Sequence, residues 1–267
     1  MKAAYDGVVD IEQYPIHNLD SARGRELVAW CRAQLAEDGC CTLGGFLLPD
    51  AIAKMVRISD EVADKAWVTD RPHNIYFTPP AKDLPSTDPR AHLERSAKHG
   101  IAYDYIPVDA PVRRLYESPE LTRFVAAALG KDVLHRSADP LDAFQITRFQ
   151  PGEELGWHFD NSEFSVTVMY QLPEAGGVFE YVPALRSDAD PNYAGITEVL
   201  QGRARATVKT QASAPGTFAL FHGHHAMHRV TLVEGTQPRI NSVLTYGDHP
   251  GMKLSPLTSE LFYGRVS

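Results

Sequence analysis

Apolar positions in the first half of the chain recur at helical spacing, whereas those in the second half alternate with polar ones. Leu27, Trp30, Cys31 and Leu35 repeat every three or four residues between Asp20-Ser21 and Gly39. A capping start, one apolar face and a glycine stop predict a helix over 22–37. Cys40–Leu43 reads as a short strand. Ile52, Met55, Val56, Val62 and Trp67 form a second helical stripe after Pro49-Asp50, and a third helix is expected over 110–129, ending at Gly130. Residues 70–107, between the last two, have no period but hold Pro72, Pro79, Pro80, Pro85, Pro89 and Pro107. Long aperiodic segments in compact chains are usually functional, and Tyr76, Phe77, Tyr103 and Tyr105 favour an ordered lid over a free linker.

From residue 143 the period becomes two. Strands are expected at Phe144–Phe149, Ser165–Gln171, 178–182, 203–210, 217–221, 228–233 and 239–246, each bounded by Gly, Pro or Asp. Short strands at this spacing predict a sandwich or barrel. The stretch from Arg203 to Lys209 alternates so regularly that it predicts a strand with one wet face. The expected fold is mainly β with α, as one domain over 1–267. A helical layer (1–142) with a lid (70–107) buttresses a β-barrel core (143–250).

Composition narrows the function. With 26 Lys+Arg against 34 Asp+Glu the formal charge is −8, which lacks the basic footprint of nucleic-acid or anionic-membrane binding. A chain of this length buries roughly 70–75% of its unfolded surface, so folding needs neither disulfides nor a structural metal. Cys31, Cys40 and Cys41 are odd in number and two are adjacent, which suits reduced thiols in a cytoplasm. The first residues lack the apolar core of a secretory leader, and no stretch approaches the ~18 apolar residues of a membrane span. The expected partner is a small molecule.

Candidate chemistry concentrates in the β half. In Gly156-Trp157-His158-Phe159-Asp160, extended backbone puts His158 and Asp160 on one face and Phe159 on the other. Two imidazoles and a carboxylate on one octahedral face leave three positions open, the arrangement of non-haem Fe(II) oxygenases. His92-Leu93-Glu94 has the same spacing but no following strand to bring a third ligand, and a turn at a strand end also accommodates His158 and Asp160. The third imidazole is expected from His228, with His222, His224 and His225 nearby as alternatives. Pro238-Arg239 opens the last strand, in which Arg239, Asn241, Val243 and Thr245 share a face. If that face points inward, the guanidinium needs an anion, and a dicarboxylate supplies one through a bidentate contact. No His-Glu-x-x-His, Walker loop, Gly-x-Gly-x-x-Gly turn or Gly-x-Ser-x-Gly elbow occurs, so the common hydrolase and nucleotide-binding readings fall away.

The pattern His158-x-Asp160, then His228, then Arg239, embedded in strands over 143–247, resembles the Fe(II)/2-oxoglutarate-dependent oxygenases. His158-Phe159-Asp160-Asn161-Ser162-Glu163-Phe164, followed by Gly176-Gly177-Val178-Phe179-Glu180-Tyr181, is similar to the group containing the radical halogenases of free amino acids and their hydroxylating relatives. The resemblance implies a double-stranded β-helix of the jelly-roll or cupin type. It implies Fe(II) on His158, Asp160 and His228, 2-oxoglutarate with its distal carboxylate on Arg239, and O2 as co-substrate. The halogenases carry Gly or Ala where this chain has Asp160, so the resemblance implies hydroxylation of an unactivated C–H, with a free amino acid first among the substrates. Arg95, Asn161, Asn241 and Thr245 are the candidate substrate contacts. Two other readings stay open at this point. One is a cupin-like metal- or ligand-binding protein without turnover; the other is a hydroxylase of protein side chains.

Overall fold

The computed structural model describes residues 3–78, 83–85 and 87–266. The α-helices among the described residues are α1 (Ala22–Asp38), α2 (Pro49–Glu61), α3 (Pro111–Glu117), α4 (Pro119–Ala128), α5 (Tyr193–Leu200) and α6 (Pro256–Tyr263). The two larger sheets take three strands from the first half of the chain: β1 (Cys40–Leu43), β2 (Trp67–Asp70) and β3 (Ala97–Ile101). They take eight from the second half: β4 (Phe144–Phe149), β5 (Leu155–His158), β6 (Ser165–Gln171), β7 (Phe179–Val182), β8 (Lys209–Thr210), β9 (Phe218–Phe221), β10 (Met227–Val230) and β11 (Arg239–Leu244).

These strands build a large antiparallel sheet, β1-β9-β6-β11-β4-β3-β2, and a small one, β8-β7-β10-β5. The sheets do not close on each other; they pack face to face as a jelly roll. Phe149 of the large sheet meets Val230, and Phe221 meets Tyr181 and Phe179 of the small one. Period-two patterning assigns the remaining faces. Ile146, Val166, Val168, Leu220, Ile240 and Leu244 turn outward into the main core beneath α1–α4. Trp157, Val182 and Met227 turn away from the large sheet into a second cluster with Ile196 and Val199 of α5. The layer between the sheets is left to Gln145, Thr147, Arg239, Asn241, His158 and His228, all buried. A polar interior of this kind suits a binding site better than a core.

Several expectations need correction. The region before residue 143 is not only a helical layer, because β1, β2 and β3 are strands of the large sheet. The segment expected as a lid over 70–107 is therefore interrupted by strand. Residues 97–101 pair with β4 through His99–Arg148, Gly100–Thr147 and Ile101–Ile146. The expected 110–129 helix is two, broken at Ser118-Pro119. Pro119 donates no backbone N–H and holds Ser118 extended, and the Ser118 hydroxyl caps α4 through Leu121 N–H. The second helix stops at Glu61, and Trp67 opens β2 instead. Trp30, placed on the apolar face of α1, is 45% exposed. Residues 203–208 are turn and 3-10 helix, and only Lys209–Thr210 pairs as strand. Alternating Arg with Ala gives a strand no apolar face worth burying, so the pattern there reflects solvation.

Candidate functional site

β5 and β10 are neighbours in the small sheet, and their register sets His158 directly opposite His228. Their ring centroids stand 4.0 Å apart. Asp160 lies just past the end of β5, where its N–H donates to Gly223 O at 3.0 Å. Its Oδ1 is then 3.4 Å from His228 Nε2 and 3.7 Å from His158 Nε2. The three ligand-type atoms all lie within 4.8 Å of one another. His158 Nδ1 contacts Gly156 O at 2.8 Å and His228 Nδ1 contacts Ala226 O at 2.9 Å. A carbonyl only accepts, so each Nδ1 carries the proton and each Nε2 presents a lone pair to the common centre.

Electrostatics reinforces the neutral form of His158. Burial, reinforced by His228, drops His158 well below the ordinary histidine range and keeps it neutral. Burial opposes the charge of Asp160, and Lys98 is the nearby cation that favours its carboxylate form. Gly223 makes the arrangement possible sterically: a Cβ there would stand 2.0 Å from Asp160 Oδ2. Of the alternative histidines, His224 contacts Asp160 O at 3.1 Å through Nδ1 and His225 pairs with Asp188 at 3.0 Å. Those two form a separate, more exposed group with Asp188. His222 is partly buried and its N–H donates to Gly39 O.

Arg239 opens β11 on the inner face, 4% exposed. Its Nη1 donates to Asn241 Oδ1 at 2.5 Å, and the guanidinium lies 5.5 Å from the Phe149 ring centroid. Its Nε is buried without a partner among the described residues, and burial pulls the group down to about 10. Asn241 thus orients Arg239. Thr245, past the end of β11, donates to Asp142 Oδ2 at 3.2 Å. Asn161 is exposed beside Asp160. Arg95 is not brought to the cluster: it donates to Gly152 O and Glu154 Oε1 at the turn before β5.

The structure places Phe77, read from the sequence only as one of the lid aromatics, at the cluster, and adds residues that sequence reasoning did not single out. The Phe77 ring stands 5.0 Å from His158 and 6.5 Å from Phe262 of α6, and His73 stacks on Phe77 at 4.4 Å. Phe77 is held at φ 53°, an unusual conformation for a bulky residue. Asn74 stabilises that turn, its Oδ1 accepting from Tyr76 N–H and Thr78 N–H. At the other end of the inner face Tyr263 donates to Asp142 Oδ1 at 2.6 Å and accepts from Gln145 Nε2 at 2.9 Å. Ser255-Pro256 and Gly264, a cap, a first-turn proline and a left-handed stop, are the sequence signal for α6 that brings Phe262 and Tyr263 here.

Solved structures that share this fold include 2-oxoglutarate/Fe(II) oxygenases and related alpha ketoglutarate-dependent enzymes. An oxidoreductase of the 2OG-Fe(II) oxygenase family from Burkholderia pseudomallei is 20% identical, covering 83% of this chain and 91% of its own at a TM-score of 0.50. AviO1 from Streptomyces viridochromogenes Tue57 is 19% identical over 85% of this chain and 97% of its own, TM-score 0.55. The epimerase SnoN, solved with Fe3+, alpha ketoglutarate and nogalamycin RO, is 15% identical over 87% and 93%, TM-score 0.58. A comparison with curated proteins returned no match. The Halogenase D (HalD) family model matches residues 95–261, more than half of the chain. The protein therefore belongs to the Halogenase D family.

Proposed function

We propose that this protein is an Fe(II)/2-oxoglutarate-dependent hydroxylase of a small polar substrate, a free amino acid before others. The observation that carries the reading is the carboxylate of Asp160, which completes a three-ligand face with the Nε2 atoms of His158 and His228. Two neutral imidazoles and one carboxylate are the donor set Fe(II) takes while keeping three positions open. Arg239 supports the cofactor assignment independently. A buried guanidinium with an orphaned Nε needs an anion, and the distal carboxylate of 2-oxoglutarate fits it. Bound together, iron and 2-oxoglutarate supply the oxidising power: O2 is consumed, 2-oxoglutarate leaves as succinate and CO2, and one oxygen atom enters the substrate C–H.

The chain's own part is positioning. Gly156 O and Ala226 O fix the imidazole tautomers. Asn241 aims Arg239. Phe77 and Phe262 wall the ligand cluster and exclude water. Asp160 also decides between the two outcomes found in this group. Its carboxylate fills the place a halide would take, so hydroxylation follows although the family is named for halogenation. The test is aerobic turnover with Fe(II), 2-oxoglutarate and a panel of free amino acids in chloride buffer. Succinate should form with a product heavier by one oxygen atom. A dominant chlorinated product would mean that Asp160 does not ligate iron.

A further inference from the structure

Once Arg239 is matched to 2-oxoglutarate, a second cation remains on the inner face of the large sheet. Gly100 pairs with Thr147, and Thr147 with Asn241. Lys98, two residues from Gly100 along β3, therefore projects from the face that carries Asn241 and Arg239. Gly100 independently marks that side, since a Cβ there would meet Gln145 Nε2 at 3.0 Å. The Lys98 ammonium lies 5.6 Å from the Phe262 ring centroid. From Phe262 the wall continues through Phe77 to His158. Among the described residues no carboxylate pairs with this ammonium and no acceptor is hydrogen-bonded to it. Burial pulls it below the usual lysine range, with Asp142 and Asp160 the acids that oppose the shift.

An ammonium held against an aromatic wall without an acceptor is costly to desolvate, and charge balance indicates what completes it. Fe(II), Asp160, doubly charged 2-oxoglutarate and Arg239 are together neutral when both histidines are. Lys98 and Asp142 are then one cation and one anion facing the same region, the complement of a zwitterion. Asp142 has capacity to spare, because each of its oxygens accepts one hydrogen bond, from Tyr263 and from Thr245, and each retains a lone pair. We propose that Lys98 receives the carboxylate of the substrate, with Asp142 facing its ammonium group, so that the site selects α-amino acids whose own side chain is uncharged. This rests on the amino-acid hydroxylase reading above. Phe77 and Phe262 supply the apolar wall against which such a side chain packs.

The same ammonium could instead meet a carboxylate of 2-oxoglutarate, so the experiment separates the two. Wild-type turnover is first ranked over the proteinogenic L-amino acids, and an uncharged one is expected to lead over Lys, Arg, Asp and Glu. Binding of that amino acid, and of its carboxamide, is then measured by calorimetry on protein loaded with Mn(II) and 2-oxoglutarate without oxygen. Lys98→Met should weaken binding of the acid by about tenfold or more and abolish the preference for acid over amide. Lys98→Arg should restore most of the loss, which separates recognition from misfolding, and 2-oxoglutarate affinity should stay unchanged. Unaltered amino-acid binding in Lys98→Met, or a loss that falls on 2-oxoglutarate, overturns the assignment while leaving the hydroxylase reading intact. Wild-type protein that turns over no free amino acid removes that reading first, and this one with it.

Discussion

At the scale of residues, Arg239 and Asp142 are the two groups whose surroundings most constrain what they can do. The Arg239 guanidinium donates to Asn241 and leaves Nε bare inside the protein, which suits a planar, two-pronged carboxylate partner. Arg239→Lys keeps the charge and removes the fork. The 2-oxoglutarate affinity should fall roughly 10–100-fold, about 1.5–3 kcal/mol, as read by calorimetry; an unchanged value would place the cofactor elsewhere. Asp142 behaves oppositely to an ordinary surface acid. Burial pushes its carboxyl up to about 6 despite hydrogen bonds from Tyr263 and Thr245. Because the folded value lies above the unfolded one, the fold loses stability as pH rises from about 4 to about 6. The deficit then persists at higher pH. Asp142→Asn should therefore raise the melting temperature at pH 8 and change it little at pH 4, measured by calorimetric scans at both. A gain confined to low pH would contradict the sign.

At the scale of elements, the β9–β10 connection also positions the Asp160 carboxylate. Gly223 accepts from Asp160 N–H, and its missing side chain is the space that Asp160 Oδ2 occupies. Gly223→Ala should push the carboxylate out of the cluster. Metal affinity, read by Mn(II) titration, should drop at least about tenfold, while circular dichroism and melting temperature stay close to wild type. Full metal affinity in this variant would show that the carboxylate can relocate. Elements were unevenly legible in the sequence. Helices with caps at both ends, such as α1, and strands with clear alternation, such as β6, stand out. β5 did not register as a strand because it is four residues long and Gly156 interrupts its pattern. That glycine is there because a Cβ would strike Glu94 and the Arg95 carbonyl, a tertiary constraint no local window can contain.

For the whole molecule, the three clustered residues and Arg239 were visible because metal and carboxylate chemistry demands particular side chains at particular spacings. Lys98, Asp142 and Phe262 were not, and Phe77 was legible only as one of the lid aromatics, since they reach the site from segments remote from one another in the chain. Only the sheet order brings them together. The same order leaves β5 at the edge of the small sheet, and the lid fills that edge. Gly156 N–H donates to Arg95 O, Trp157 N–H to Glu94 Oε2 and Phe159 N–H to Ile75 O. Each of these amides lies within two positions of His158. The segment expected as a lid is thus sewn to the strand that carries His158, not hinged over it, and lifting it means unpicking the backbone beside the His158–Asp160–His228 cluster. Hydrogen exchange would then register lid and ligand strand as one cooperative unit. Retuning the substrate range by exchanging lids among relatives would disturb the iron site with every exchange, so new specificity is more cheaply reached from the β3 and α6 side.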